Sequence, residues 1–356
     1  MHWWKKIKHA SLWIKITNWE YWPMYITNIP VVFIWLYFSL RARHLFFFSN
    51  TNPVIENGGV LGESKWTIYQ HLPQEYLPRM FLLPAEHRDL HYILNECRQH
   101  GFLYPMFIKP NMGERGFWAE KINDQDELQH YLDQVPAMPL LVQEYVHLPL
   151  ELSVMYHRFP DAPTGQITSL CIKELLQVTG DGRQTLKELI LAYPRARFQW
   201  PELANRWANE LRLILPAGET KVLMSMGNHC RGAMFLNGHH AIDAALVKVF
   251  NRIHEASGPL HYGRFDLRCT SLDLLKQGRE FKLLEYNGVA AEPAHIYQPG
   301  YALLRAYRDI YHHWSIIYRL HLQMLKKGYQ PCNFSQIRAD WRRYRTQMRL
   351  AKKHSL

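Results

Sequence analysis

The sequence predicts an α+β protein, on three observations. Apolar segments of strand length recur and carry or end in charged side chains: Phe107-Ile-Lys109, Leu140-Leu-Val-Gln-Glu144, Cys171-Ile-Lys173-Glu174, Tyr262-Gly-Arg264-Phe-Asp266-Leu-Arg268 and Leu283-Leu-Glu285-Tyr-Asn287-Gly288. Glycine-bearing turns separate them, at Gly113-Glu-Arg115-Gly116, Gly180-Asp-Gly182 and Gly227-Asn228 to Gly232. Ile242, Ala245, Leu246, Val249, Phe250 and Ile253 recur at helical spacing, which makes one apolar helix face suited to packing on a sheet. A chain of 356 residues can bury a large core and divides into two or three subdomains.

In chain order, residues 1–58 form an aromatic segment. Lys5, Lys6, Lys8 and Lys15 precede an uncharged run from Ile29 to Leu40; Arg41, Arg43 and His44 follow it. That run is short of the roughly 18 to 20 residues a spanning helix needs. With its aromatic belt and basic flanks it suits a segment lying in a membrane interface, or else a helix buried in the fold. No small-residue cleavage site follows, so it is not a standard cleavable leader. Residues 59–105 link it onward and carry an amphipathic helix around Leu90, Tyr92, Ile93 and Cys97. Residues 106–190 hold a lysine strand, a glycine loop and a hinge-like strand end; residues 191–300 hold the acidic strands; residues 301–356 read as basic and helical.

The acidic strands carry the chemistry. Glu285 and Asn287, two apart, share a strand face. With Asp266 they offer the hard oxygen ligands that Mg²⁺ prefers. Arg264 beside two carboxylates suits a reaction that builds negative charge on a phosphoryl or acyl oxygen. Two hairpin strands with surface charges would give the same local pattern. Upstream, Lys109 followed by Gly113–Gly116 suits phosphate contact through backbone N–H groups and a mobile cation, although the G-x-x-x-x-G-K-[ST] pattern is absent from the chain. Net charge of +11 suits anionic partners. The five cysteines are scattered, with no Cys-x-x-Cys pair, which argues for a reducing compartment and against structural zinc. His239-His240 and His312-His313 are adjacent residues whose side chains diverge, so neither is a ready chelate; His261 and His295 suit polar or substrate-contact roles.

Taken in order, these pieces resemble the ATP-grasp superfamily, closest to the D-alanine–D-alanine ligase-like carboxylate–amine ligases, over about residues 60 to 310. Val178-Thr-Gly-Asp-Gly182 and Gly227-Asn228…Gly232 are also similar to the ATP-grasp part of cyanophycin synthetase. The resemblance implies an ATP-grasp fold in which two α+β subdomains clamp ATP. It implies that Lys109 contacts the α/β-phosphates, that Gly113–Gly116 closes over them, and that Arg115 can join them. Lys65, in Gly62-Glu-Ser-Lys65-Trp, is implied as a second phosphate lysine. Gln143, Glu144, Tyr145 and Val146 resemble the adenine hinge, Glu151 the ribose acid, and Lys173 the lysine at the adenine and phosphate side. Arg264 resembles the arginine that stabilises the acyl phosphate. Asp266, Glu285 and Asn287 resemble the metal triad, with Glu285 as the bridge. Gly288 lies where the family places backbone donors toward substrate. The implied cofactors are ATP and two Mg²⁺, with Mn²⁺ as a substitute. One departure is plain: residues before Lys65 do not read as the family's alternating N-terminal domain, so that domain is reduced or divergent and substrate specificity does not carry over.

The expectation is therefore a Mg-dependent ligase that activates a carboxylate as an acyl phosphate and joins it to an amine. Its expected partners are those two substrates, a lipid-linked one among them, the membrane surface, and a second copy of the chain as a homodimer; nucleic acid is not expected. Its expected place is the cytoplasm, at the inner face of the membrane. Three alternatives remain: a thiol or hydroxyl acceptor, a non-catalytic ATP-binding membrane-associated protein that holds nucleotide without turnover, and a basic nucleic-acid or lipid-binding protein with an incidental fold.

Overall fold

The structure, a computed structural model, describes residues 11–60, 62–113 and 116–353. Strands β1 (Met80–Leu83), β2 (Met106–Pro110), β3 (Glu120–Ile122) and β4 (Leu140–Glu144) form an antiparallel sheet in the order β1-β4-β2-β3. Helices Leu90–Gln99 and Gln125–Gln134 start at Asp89 and Asp124, whose side chains accept backbone N–H bonds at the first turn. Ile93, Cys97, Leu128 and Tyr131 from these helices share a core with Met106, Ile108, Leu140 and Val142. Alternation then turns Phe107 and Lys109 to the opposite face of β2, into a cleft.

Next in the chain come β5 (Leu150–His157), β6 (Gln166–Glu174), a separate short pair β7 (Gln177–Thr179) and β8 (Thr220–Val222), then β9 (Met234–Asn237), β10 (Tyr262–Cys269) and β11 (Phe281–Asn287). The larger sheet runs β11-β10-β5-β6-β9, antiparallel throughout. Helix Ala244–Ala256 backs it with buried Leu246, Val249, Phe250 and Ile253. Ile242 precedes the N-cap Asp243, and Ala245 is exposed, so the apolar face is narrower than its sequence periodicity.

The fold class is α+β, and the two sheets flank one cleft, the two-lobed arrangement that the resemblance implies. Sequence blocks and sheets do not coincide, however. The 59–105 block supplies β1 to the first sheet, while β5 and β6 of the 106–190 block belong to the second. The expected boundary at 190/191 falls inside helix Leu186–Ala192, which packs with Leu176, Leu203, Leu215 and Met224 in a small core of its own.

The N-terminal segment forms helices Met24–Thr27 and Ile29–Ala42, the second starting with Pro30 in its first turn. Together Met24–Ala42 is 19 residues long with mean hydropathy 1.2, long and apolar enough to cross a membrane by length and composition, and 11% of it is buried. The structure thus does not bury this segment as a core helix. Its inner side packs on the long helix Leu303–Lys326, where Phe38 meets Tyr311 and Tyr318 at 5.3 and 5.5 Å between ring centroids. The following loop is locked by Asn52, whose amide accepts from Tyr262 N at 3.0 Å and donates to Tyr262 O at 2.8 Å. Helix Phe334–Lys353 closes the chain, with Asp340 accepting from Asn57 Nδ2 at 3.0 Å.

Candidate active site

Strand β10 presents Arg264, Asp266 and Arg268 on one face, because they are two apart. Its register with β11 sets Asp266 opposite Glu285 and Arg264 opposite Asn287. The ladder shifts between Asp266 and Leu267, so that Leu267 pairs with Leu283 and Leu284 is an extra residue. This bulge reverses the phase of β11. Leu283 packs in the core although it lies two residues from Glu285, while Glu285 and Asn287 line the cleft. The bulge also frees the Leu284 carbonyl, which accepts from Tyr69 Oη at 2.6 Å and from Lys109 Nζ at 3.0 Å.

The cleft encloses about 590 Å³, within the range of small-molecule sites. Lys109 reaches it from the smaller sheet and also donates to Tyr69 Oη at 2.8 Å. Burial lowers the Lys109 pKa to about 8; Glu285 pulls it back up and Lys65 pushes it down further. Lys65 opens helix Lys65–Gln70, whose N-cap Ser64 accepts from Thr67 N. Its ammonium donates to Gly113 O at 2.6 Å and lies 3.8 Å from Glu285 Oε1.

Asp266 is buried. Burial alone would raise its pKa, but Arg264, Lys173 and the Ser153 hydroxyl outweigh that and hold it at about 2. Arg264 Nε lies 3.1 Å from Asp266 Oδ1, Lys173 Nζ 3.6 Å from the same oxygen, and Asn287 Nδ2 3.4 Å from Oδ2. For Lys173 the order is reversed: burial lowers its pKa, yet Asp266 and Glu151 raise it overall. The donor set suits a hard divalent cation, with two carboxylates directly opposed and an amide beside them. Among the described residues, no group of three or more His, Cys, Asp and Glu side chains is placed to hold a metal ion. Asp266 already has cationic partners, whereas the Glu285 side chain is 35% exposed and, among the described residues, pairs with Lys65 alone.

Of the other expected residues, Gly113, Gly116, Gln143, Tyr145, Val146, Glu151 and Lys173 line the same cleft. Arg115 lies outside the described residues, as do Lys5, Lys6 and Lys8. Glu144 differs from expectation: its carboxylate accepts from Arg79 N at 2.9 Å and Arg79 Nε at 2.6 Å across the edge of the sheet, away from the cleft lining. Gly288 differs too. A Cβ there would lie 2.4 Å from Gly58 O and 2.8 Å from Gly59 Cα, so the glycine permits two backbones to cross, and it does not line the cleft. Glu151 is held in a buried cluster: Arg268 Nε and Nη2 donate to Oε2 at 3.1 and 3.0 Å, and Lys173 Nζ lies 3.3 Å from Oε1.

Sequence reasoning gave Arg268 no role. It also donates to Val146 O at 3.0 Å and Tyr145 Oη at 3.1 Å, so it ties the segment after β4 to β10. The Arg-x-Asp-x-Arg spacing was its visible signal. Met24, Asn28 and Tyr344 also line the cleft, and nothing in the sequence pattern pointed to them. His229 lines the cleft, whereas the histidines singled out in the sequence stand outside its lining: His313 Nδ1 meets Tyr262 Oη at 2.9 Å and His295 Nδ1 meets Ser169 Oγ at 2.7 Å. Burial lowers both pKa values, to about 3 and about 4, with the neighbouring histidines adding to it.

No family model and no curated protein matches the chain. In structure it is similar to several ligases. It is similar to a bifunctional glutathione synthetase from Pasteurella multocida (13% identity, 69% of this chain and 35% of that one, TM-score 0.36). It is also similar to a D-Ala:D-Ser ligase from Enterococcus faecalis (14% identity, 68% and 57%, TM-score 0.35) and a D-alanine–D-alanine ligase from Bacillus anthracis (13% identity, 79% and 68%, TM-score 0.38). The chain therefore spans about a third of the first protein and just over half of the second.

Proposed function

We propose that this protein is an ATP-dependent ligase of the ATP-grasp type, which activates a carboxylate as an acyl phosphate and joins it to an amine. One observation carries the reading. Two lysines, Lys109 of β2 and Lys65 of the helix that packs on β11, converge on a block of Arg264, Asp266, Glu285 and Asn287 set by the β10–β11 register.

In this reading Gln143, Tyr145 and Val146 hold the base, and Glu151, oriented by Arg268, meets the ribose. Lys109, Lys173, Lys65 and the Gly113–Gly116 backbone hold the phosphates. Asp266, Glu285 and Asn287 would hold Mg²⁺, or Mn²⁺ in its place, which when bound neutralises charge on the β- and γ-phosphate oxygens. A substrate carboxylate oxygen attacks the γ-phosphorus and ADP leaves. The amine then attacks the acyl carbon, the tetrahedral intermediate collapses, and phosphate leaves with its electron pair and takes up the proton that the amine nitrogen loses. Arg264, held against Asp266 and Glu292 O, faces the oxygen on which charge develops. The protein contributes position and charge rather than a covalent partner. A cytoplasmic place at the inner face of a membrane fits both the need for ATP and the exposed apolar N-terminal helix.

The test is phosphate release from Mg-ATP by the full chain in detergent, against pooled amino acids and carboxylated lipids, with Glu285→Ala as control. ADP and phosphate formed with one pool, by the wild type alone, are expected. Tight ATP binding without turnover in any pool would favour the non-catalytic alternative, and a thioester or phosphate-ester product the other acceptors.

A further inference from the structure

Beyond Arg264, which donates to Glu292 O, the N-terminal segment contributes part of the cleft wall. Met24 and Asn28 line it there, beside Glu292, Ala294 and Tyr297. This wall is anchored. Trp19 Nε1 donates to Tyr301 O at 2.6 Å, and the Trp19 and Tyr297 rings lie 5.4 Å apart. The buried Glu20 carboxylate meets Arg195 Nη2 at 2.5 Å and His229 Nε2 at 3.1 Å. Tyr307 Oη donates to Thr27 O at 3.1 Å.

The same segment carries an apolar face that continues outward from the cleft. Met24 is both part of the cleft wall and 37% exposed. Asn28 leads directly into helix Ile29–Ala42, where Ile29, Val32, Phe33, Leu36, Tyr37 and Leu40 are all exposed. Their spacing of i, i+3, i+4, i+7, i+8 and i+11 makes one stripe. Val31, Ile34 and Phe38, on the other side, pack inward. Exposed Phe33 and Leu40, at 66% and 78%, are costly in water. No Asp or Glu occurs from Tyr21 to Ile55, while Arg41, Arg43 and His44 flank the helix end. An apolar stripe with cationic, aromatic margins and no acidic residue is complementary to an anionic lipid leaflet.

We propose that the substrate entering past Met24 and Asn28 is an amphiphile resident in a membrane leaflet. Its polar head, a carboxylate or primary amine, passes Met24, Asn28 and Tyr297 into the cleft, while its chain stays in the leaflet against the Ile29–Leu40 stripe. What happens to the head rests on the ligase reading; the route of entry does not. Membrane docking and substrate selection are then one surface, and a soluble substrate of the same head group is handled poorly.

The test uses the full chain with vesicles of phosphatidylcholine and phosphatidylglycerol. These carry a long-chain fatty acid or long-chain primary amine with a photoreactive diazirine near its head. Cosedimentation with vesicles and photolabelled peptides are read with Mg²⁺ and a non-hydrolysable ATP analogue present. The wild type is expected to sediment with the vesicles. One of the two probes should label peptides holding Met24–Asn28 and Glu292–Tyr297, at least tenfold above its short-chain, water-soluble counterpart. Phe33→Glu with Leu40→Glu should abolish both readouts while a fluorescent ATP analogue still binds, which also shows that the variant is folded. Equal labelling by the short-chain counterpart, labelling confined to the Ile29–Leu40 stripe, or no vesicle binding by the wild type would overturn the proposal. Failure of the wild type to bind the ATP analogue would instead strike the ligase reading, since vesicle binding and labelling report independently of it.

Discussion

Lys109 of β2 donates a hydrogen bond to the carbonyl of Leu284 on β11, at 3.0 Å across the cleft between the two sheets. That carbonyl is available because Leu284 is the bulged residue of its strand. One backbone irregularity therefore seats the lysine of one side and turns Glu285 and Asn287 of the other toward it. The bond has a cost in charge, since a buried ammonium beside a carbonyl lacks a full counter-ion, and the Lys109 pKa falls to about 8.

Nucleotide binding should restore that proton. With a free-state pKa near 8, about half of Lys109 is neutral at pH 8, and phosphates beside it raise its pKa. Binding of ATP at pH 8 is expected to take up about 0.5 proton, falling toward zero at pH 6. Titration calorimetry in two buffers of different ionisation enthalpy reads this directly. Lys109→Met should remove the uptake; an unchanged value would mean that another group is responsible.

Glu285→Ala is expected to lower phosphate release by at least about 10²–10³. The side chain is 35% exposed and its ion pair to Lys65 is long at 3.8 Å, so thermal stability should hardly change. Full activity in the folded variant would remove Glu285 from the site.

Asp266→Asn tests the buried charge. The wild-type carboxylate, depressed to about 2 from 3.8, contributes stability that is present above pH 3.8 and lost as pH falls through 2. The shift corresponds to about 2 kcal/mol. Denaturant titrations should show the variant less stable by that order at pH 7, with the gap narrowing toward pH 2. A gap that stays constant with pH would contradict this account.

Arg268→Met should destabilise by about 3–5 kcal/mol, because it strips the buried Glu151 of both bonds to Oε2. Adding Glu151→Gln should recover part of the loss. A double variant that shows simple additivity would mean that the two side chains are not coupled.

Gly288→Ala should cost about 1–3 kcal/mol, since the added carbon meets the backbone of Gly58 and Gly59 rather than a movable side chain. An unaltered melting temperature would show that the crossing can relax.

The sequence by itself determined local faces. Two-residue alternation aligned Arg264, Asp266 and Arg268, and separately Glu285 and Asn287; helical spacing marked Leu246, Val249, Phe250 and Ile253. These follow from backbone geometry, which needs no partner. Only the tertiary structure decided which faces meet. Strict alternation would have put Leu283 and Glu285 on one side, and the bulge separated them. Glu144 turned to Arg79 because β1 pairs beside β4, a contact 65 residues away in sequence. Glu151 met Arg268 across the β5–β10 ladder, 117 residues apart, and Met24 and Asn28 reached the cleft by packing alone. Such pairings depend on long-range loop closure and shape, and no periodicity within a strand or helix encodes them.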